Sequence, residues 1–212
     1  AEAVGHLLTV EDTAVEFHLD RAWRTHADAL FAQAVDDLGL RKALCKSFDL
    51  AWLSACLALQ RTAKVVGILF REQRPVPRIV PDFEPAIRLA QPADTDAVAA
   101  IDEHLFDSPE ELQQIVREQH LFLFERGSDL LGFGLFLPVI EGRPDHDIGM
   151  LVNARFRGHG LGKFILQHLA EHCRSQGLRP VAGCEAGNLA SRRSLEAVGF
   201  VADHRLVEFL LR

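Results

Sequence analysis

The heptapeptide Arg157-Gly158-His159-Gly160-Leu161-Gly162-Lys163 stands between a strand-like run, Asp147 to Val152, and a long amphipathic helical pattern from Gly160 to about Gln176. A strand feeding a glycine turn and then a helix commits this part of the chain to an α/β arrangement. The glycines let the backbone turn with its N–H groups converging, and the helix start adds roughly half a positive charge. Such a site favours a phosphate or pyrophosphate. On the loop alone, a glycine-rich turn without a ligand stands as the alternative.

Two commoner phosphate motifs fail on this loop. The GxGxxG pattern breaks because Gly158 and Gly160 are followed by Lys163, and the P-loop breaks because Arg157 stands where its first glycine belongs and Phe164 follows the lysine. Neither a dinucleotide nor ATP is indicated.

Composition narrows the classes further. With 48% apolar and 25% charged residues in 212, the chain can bury a core in one large domain or two small ones. The 23 Lys and Arg against 30 Asp and Glu leave a net charge of -7, which repels a nucleic-acid backbone. The apolar run Leu130 to Ile140 falls well short of the ~18 to 20 residues of a membrane span, and no signal-like segment opens the sequence. Cys45, Cys56, Cys173 and Cys184 form no CxxC pair, so neither a disulfide framework nor a structural zinc site is signalled. Reduced thiols in the cytoplasm are the expectation.

Between Arg71 and Pro85 four prolines fall in fifteen residues, each removing a backbone donor. The sequence therefore divides into an N-terminal module (1–74), a Pro-rich linker (75–85) and a C-terminal domain (86–212). In the last, a strand at 86–90, two short helices, a hairpin at 121–125 and 130–137, the strand at 147–152 and the helix from 160 are followed by a strand at 181–185. A helix at 188–198 and a strand at 207–211 complete a mixed α/β sheet.

Arg157 to Gly162 fits the Q/R-x-x-G-x-G/A signature of GNAT acyltransferases. Asn188-Leu189-Ala190-Ser191 and Leu195-Glu196-Ala197-Val198-Gly199-Phe200, 26 residues beyond Gly162, resemble that family's second signature. The resemblance covers about residues 86 to 212. It implies a mostly antiparallel mixed sheet whose central strands splay, so that the backbone at Leu151 and Val152 can pair with the pantetheine arm of acetyl-CoA. It also implies that the amides of Arg157, Gly158, His159, Gly160, Leu161, Gly162 and Lys163 hold the pyrophosphate. Asn188 would bond the pantetheine or thioester region, and Ser191 would approach the cofactor phosphates; taken by itself, Asn188 has a helix N-cap as its alternative reading.

The reaction so implied is attack of a primary amine on the acetyl thioester within a ternary complex. An alkylammonium is not a nucleophile, so a base must take a proton. Asp147 occupies the place where many relatives carry a Glu with that role; a solvated strand-end carboxylate is the competing reading. Many relatives also carry a Tyr acid before the Glu of the second signature. This chain has no Tyr, and Leu195 fills the position. The acceptor, a small amine or a peptide, is not legible beyond the acidic residues Glu141, Asp145 and Asp147, which lean toward a cation. A CoA-binding sensor without turnover is the alternative function, and the protein is expected as a monomer or homodimer.

His168-Leu169-Ala170-Glu171-His172 matches the HxxEH metallopeptidase pattern, but on the helix after the glycine loop its histidines are expected on the solvated face, with no metal. The N-terminal module shows the order strand, helix, strand, helix, strand. A shift of 139 residues lays Asp49 on Asn188 and Phe70 on Phe209, with eight identities in 47 positions. A degenerate half-GNAT module is therefore expected, with a helical cap as the alternative; Leu19 to Trp23 stands where the glycine loop would be.

Overall fold

The computed structural model describes residues 3–82, 84–103 and 105–212. The chain forms β1 (Gly5–Val10), β2 (Thr13–Leu19), α1 (Ala27–Leu38), β3 (Lys42–Lys46), α2 (Leu50–Leu59) and β4 (Gln60–Phe70). It continues through β5 (Glu72–Gln73), β6 (Ala86–Leu89), α3 (Thr95–Ala99), α4 (Pro109–Arg117), β7 (Leu121–Arg126) and β8 (Asp129–Pro138). The last elements are β9 (Asp145–Val152), α5 (Leu161–Ser175), β10 (Arg179–Glu185), α6 (Leu189–Ala197), β11 (Phe200–Val201) and β12 (His204–Leu211). No described helix is long and apolar enough to cross a membrane.

Two compact units result. The first comprises Ala1–Leu69, Cys184–Asn188 and Asp203–Arg212; the second comprises Phe70–Gly183 and Leu189–Ala202. This grouping differs from a division at the prolines alone, because β12 pairs with β3 on one side and β4 on the other. The end of the sequence thus completes the sheet begun by its first 70 residues.

In the first unit, β2 runs antiparallel to β1 and parallel to β3. The hairpin partner β1 has no counterpart in the order read from sequence, since His6 and Thr9 break its apolar pattern. Phe17, Phe31, Val35, Cys45, Trp52, Cys56 and Phe209 fill the core. Asp49 caps α2 by accepting from the Trp52 amide at 3.3 Å, and Gly39 ends α1 in the left-handed region at φ 65°. From β2 onward the order is strand, helix, strand, helix, strand, as in β9, α5, β10, α6 and β12. Arg21–His26, a 3-10 turn, stands where the later repeat has its glycine loop.

The second unit carries β6, β7, β8 and β9 as an antiparallel sheet, with β10 added parallel to β9. Both faces are covered, which is why Leu121-Phe122-Leu123-Phe124 is apolar throughout rather than alternating. Leu121, Leu123, Phe133 and Leu135 meet Val98, Leu112, Ile115 and Val116 of α3 and α4. On the other face α5 presses on β8, where a side chain at Gly134 would lie 2.8 Å from Leu169 and 2.9 Å from Ile165. Gly134 is the space into which α5 settles.

The histidines of the HxxEH pattern are not a fully solvated pair: each is only part-exposed and packs on the sheet. His168 and His172 lie 4.9 to 5.6 Å, centroid to centroid and edge to face, from Phe122, Phe124 or Phe136, and parallel to each other at 6.5 Å. Three phenylalanine rings on the sheet side draw that helical face inward. Burial lowers the pKa of His168, as does its neighbour His172. Among the described residues no group of three or more His, Cys, Asp or Glu is arranged to hold a metal ion.

Candidate active site

The parallel ladder between β9 and β10 consists of Arg179↔Asp145, Pro180↔His146 and Val181↔Asp147. Beyond Asp147 the strands part, while β9 stays paired to β8 as far as Gly132↔Val152. Ile148 to Val152 therefore line a fork on one side with the backbone edge that a further strand would use. Leu151 is buried into the α3/α4 core, which fixes the pleat of β9 at that point.

After β9 the chain turns through Asn153, whose side-chain amide donates to Leu130 O at 2.9 Å while its carbonyl accepts from the Arg155 amide at 3.1 Å. Arg157 folds back: its Nε donates to Val152 O at 3.1 Å and its guanidinium pairs with Glu103 at 2.6 Å. The Arg157 side chain thus closes the turn, and at Val152 it occupies a carbonyl that a strand-like ligand would share. Gly158 and Gly160 have φ of 90° and 77°, the left-handed region that other residues avoid. Gly160 is the N-cap of α5, so the amides of Leu161, Gly162 and Lys163 lack intrahelical acceptors and point along the helix axis. A side chain at Gly162 would meet the Met150 methyl at 3.1 Å. The turn can accept an anion at the positive end of a fifteen-residue helix.

Asp147, exposed, stands at the last paired position of the fork. Its neighbour Asp145 is a different kind of carboxylate: Arg179 and Arg71 both donate to it, and Arg179 above all holds its pKa below the usual range. Asp145 thus offers no free charge toward the cation expected from an Asp145, Asp147 and Glu141 cluster. A cleft of about 470 Å³ opens at the head of β9 between His120, Glu141, Arg143 and His146, with charges of both signs. Asn188 is exposed and directly precedes α6, its amide donating to Glu185 O at 3.0 Å; Ser191 is half-buried in the first turn of that helix. Leu195 is 2% exposed, so the position of the missing Tyr belongs to the core. Ser194 donates to Ala190 O at 2.9 Å, a helix-surface hydroxyl.

Sequence reasoning read the segment Arg74–Asp82 as part of a linker and missed that it docks. It lies against α5 and the glycine turn: Asp82 donates its amide to His159 O at 3.3 Å and sets its carboxylate 2.8 Å from His159 Nδ1. Gln167 was the available signal, a polar residue interrupting the buried face of α5.

A forked parallel strand pair leading into a glycine turn and a helix N-terminus defines an α/β fold of the acyltransferase kind. Residues 85–200 match the acetyltransferase (GNAT) family, and residues 2–73 match a second acetyltransferase (GNAT) domain. The first match alone spans more than half of the 212 residues, and the chain belongs to the GNAT acetyltransferase family. An acetyltransferase of the GNAT family from Colwellia psychrerythraea superposes with a TM-score of 0.87 at 20% identity, covering 100% of this chain and 82% of that one. A GCN5-related N-acetyltransferase from Sphaerobacter thermophilus superposes with a TM-score of 0.66 at 14% identity, covering 96% and 74%. Comparison with curated protein sequences gave no match.

Proposed function

We propose that this acetyltransferase moves the acetyl group of acetyl-CoA to a primary amine of a small molecule or peptide, by direct attack in a ternary complex. The observation that carries the reading is the fork: β9 and β10 part at Val181↔Asp147, and β9 then delivers the chain to a glycine turn at a helix start. Acetyl-CoA is a substrate here, with its pantetheine along Leu151 and Val152 and its pyrophosphate on the amides from Arg157 to Lys163. Asn188 and Ser191 are assigned to the thioester region and the cofactor phosphates by resemblance to the family.

Asp147 takes a proton from the substrate ammonium, directly or through water, and the free amine attacks the thioester carbonyl carbon. The C–N bond forms, the C–S bond breaks, CoA departs, and the nitrogen gives up its surplus proton to water to leave the amide. Leu195 cannot donate a proton, so CoA leaves as a thiolate, whose parent thiol is acidic enough (about 8.5) to make it a fair leaving group. The four cysteines are free thiols, which suits a reducing cytoplasm.

Thiol release from acetyl-CoA across a panel of amines and peptides tests the reading. Asp147→Asn should lower kcat/KM by roughly 10² to 10⁴ while sparing CoA affinity, and a loss below about threefold returns Asp147 to a surface role. Gly160→Val places a branched side chain at φ 77° and should abolish CoA binding in calorimetry. CoA binding without thiol release for any acceptor turns the reading to a sensor.

A further inference from the structure

The prolines between residues 74 and 82 do not form a free tether. At one end the Arg74 amide donates to Gly199 O at 2.9 Å, and the Gln73 side chain donates to Val198 O at 2.7 Å while accepting from Arg174. In the middle Gln167, only 6% exposed, takes hold of three backbone groups: it accepts from the Ile79 amide at 2.7 Å and donates to Pro77 O at 3.1 Å and Val76 O at 3.4 Å. At the other end Pro81 is buried, its Cα 3.7 Å from where a Gly160 side chain would begin, and Asp82 engages His159 through both its amide and its carboxylate.

The α5 side of these contacts has a period. Arg174, Gln167 and Gly160 are seven residues apart, two helical turns each, so they fall on one face. The segment runs antiparallel along that face from the end of the helix to its N-terminal turn. Pro75, Pro77 and Pro81 suit it to this course: they hold it extended and remove donors that a sheet would otherwise need to satisfy. A buried glutamine with its amide group satisfied by backbone from a distant segment is a costly group to maintain unless that segment stays in place.

We propose that Arg74–Asp82 is a strap that holds the glycine turn in its anion-binding conformation, with Gln167 and Asp82 as positioning residues for acetyl-CoA. The inference rests on the reading of the turn as the pyrophosphate site. Gln167 fixes the strap on α5; Asp82 then restrains His159, the residue between the two left-handed glycines, from both its carbonyl and its ring. A turn already held in its bound shape loses less freedom when the anion arrives, which tightens binding without a direct contact. Because coupling is reciprocal, the ligand must also steady the strap.

The test is calorimetric titration of the full chain with coenzyme A, together with hydrogen exchange at the Ile79 and Asp82 amides. Asp82→Ala, at an exposed side chain that leaves folding intact, should weaken CoA about three- to tenfold, and Asp82→Asn, which keeps an acceptor for Nδ1–H, should recover to within about twofold. Gln167→Leu should weaken it at least as much as Asp82→Ala. In the unaltered protein CoA should slow exchange at both strap amides about tenfold or more, a response that a merely structural strap would not give. Equal affinity in Asp82→Ala, no recovery in Asp82→Asn, or strap amides indifferent to bound CoA each overturn the strap's role while leaving the acetyl-CoA reading intact. No CoA binding by the unaltered protein overturns that reading, and the strap's role with it.

Discussion

The imidazoles packed on the sheet make the second unit sensitive to acid in a way that can be sized. His168 has its Nε2 buried with no hydrogen-bond partner, and burial lowers its pKa; the same cause lowers those of His172 and His120. The fold therefore binds fewer protons than the unfolded chain, so this contribution to stability is present above the unfolded value near 6.5 and lost as pH falls below it. A histidine kept wholly neutral at pH 5.5 costs the fold about 1.4 kcal/mol there. Protonating both His168 and His172 instead sets two charges 6.5 Å apart, about 2.5 kcal/mol at an effective dielectric of 20. Other groups moderate the sum. Glu118 and Glu141 favour charge on His120 while His146 opposes it, and half-exposed His172 is screened, so its share is discounted. Urea unfolding followed by circular dichroism at pH 7.5 and 5.5 should show a loss of roughly 2 kcal/mol on acidification, and His168→Leu should remove about half of it. An identical pH dependence in His168→Leu, or stability that rises in acid, would refute the reasoning.

At Gly199, φ is 89° and an added Cβ would fall 1.9 Å from Arg74 O; Gly199→Ala should cost roughly 2 to 4 kcal/mol in urea titrations, through strain and the lost Arg74 hydrogen bond. Gly134→Ala should cost about 1 to 3 kcal/mol by pushing on Ile165 and Leu169, and Ile165→Val in the same chain should return part of it. Leu195→Tyr, which sequence comparison would suggest as a gain of the missing acid, should lower the thermal midpoint because a buried position must take a larger, polar ring; kcat should not rise.

The elements that sequence located well were those whose burial repeats regularly. The α5 pattern and the β7–β8 hairpin were legible because Leu166, Leu169 and Cys173, or Leu121 to Phe124, have environments that follow from helix and strand periods alone. The glycine turn was legible because φ of 90° and 77° at Gly158 and Gly160 is a local demand that only certain residues meet. What stayed hidden depended on partners distant in sequence. His168 and His172 read as a polar stripe until Phe122 and Phe136 stand opposite them. Asp145 reads as free acidity until Arg71 and Arg179 bracket it. Proline spacing announces an extended segment, yet says nothing of Gln167, which gives that segment its place.

The same dependence bears on what counts as a domain. Two GNAT matches, residues 2–73 and 85–200, would suggest two separable pieces joined by prolines. The strand pairing argues otherwise. β12 follows the second match, yet both of its antiparallel neighbours, β3 and β4, lie within the first, and its Phe209 and Leu211 are buried in the first unit's core. Cutting the chain near Asp82 would strip β12 of both neighbours and expose those two side chains, and cutting before His204 would open the N-terminal sheet between β3 and β4. A half-module that has no glycine turn of its own is therefore tied to both ends of the sequence: β12 supplies the strand between β3 and β4, and it is on those two strands that β12 finds its antiparallel partners.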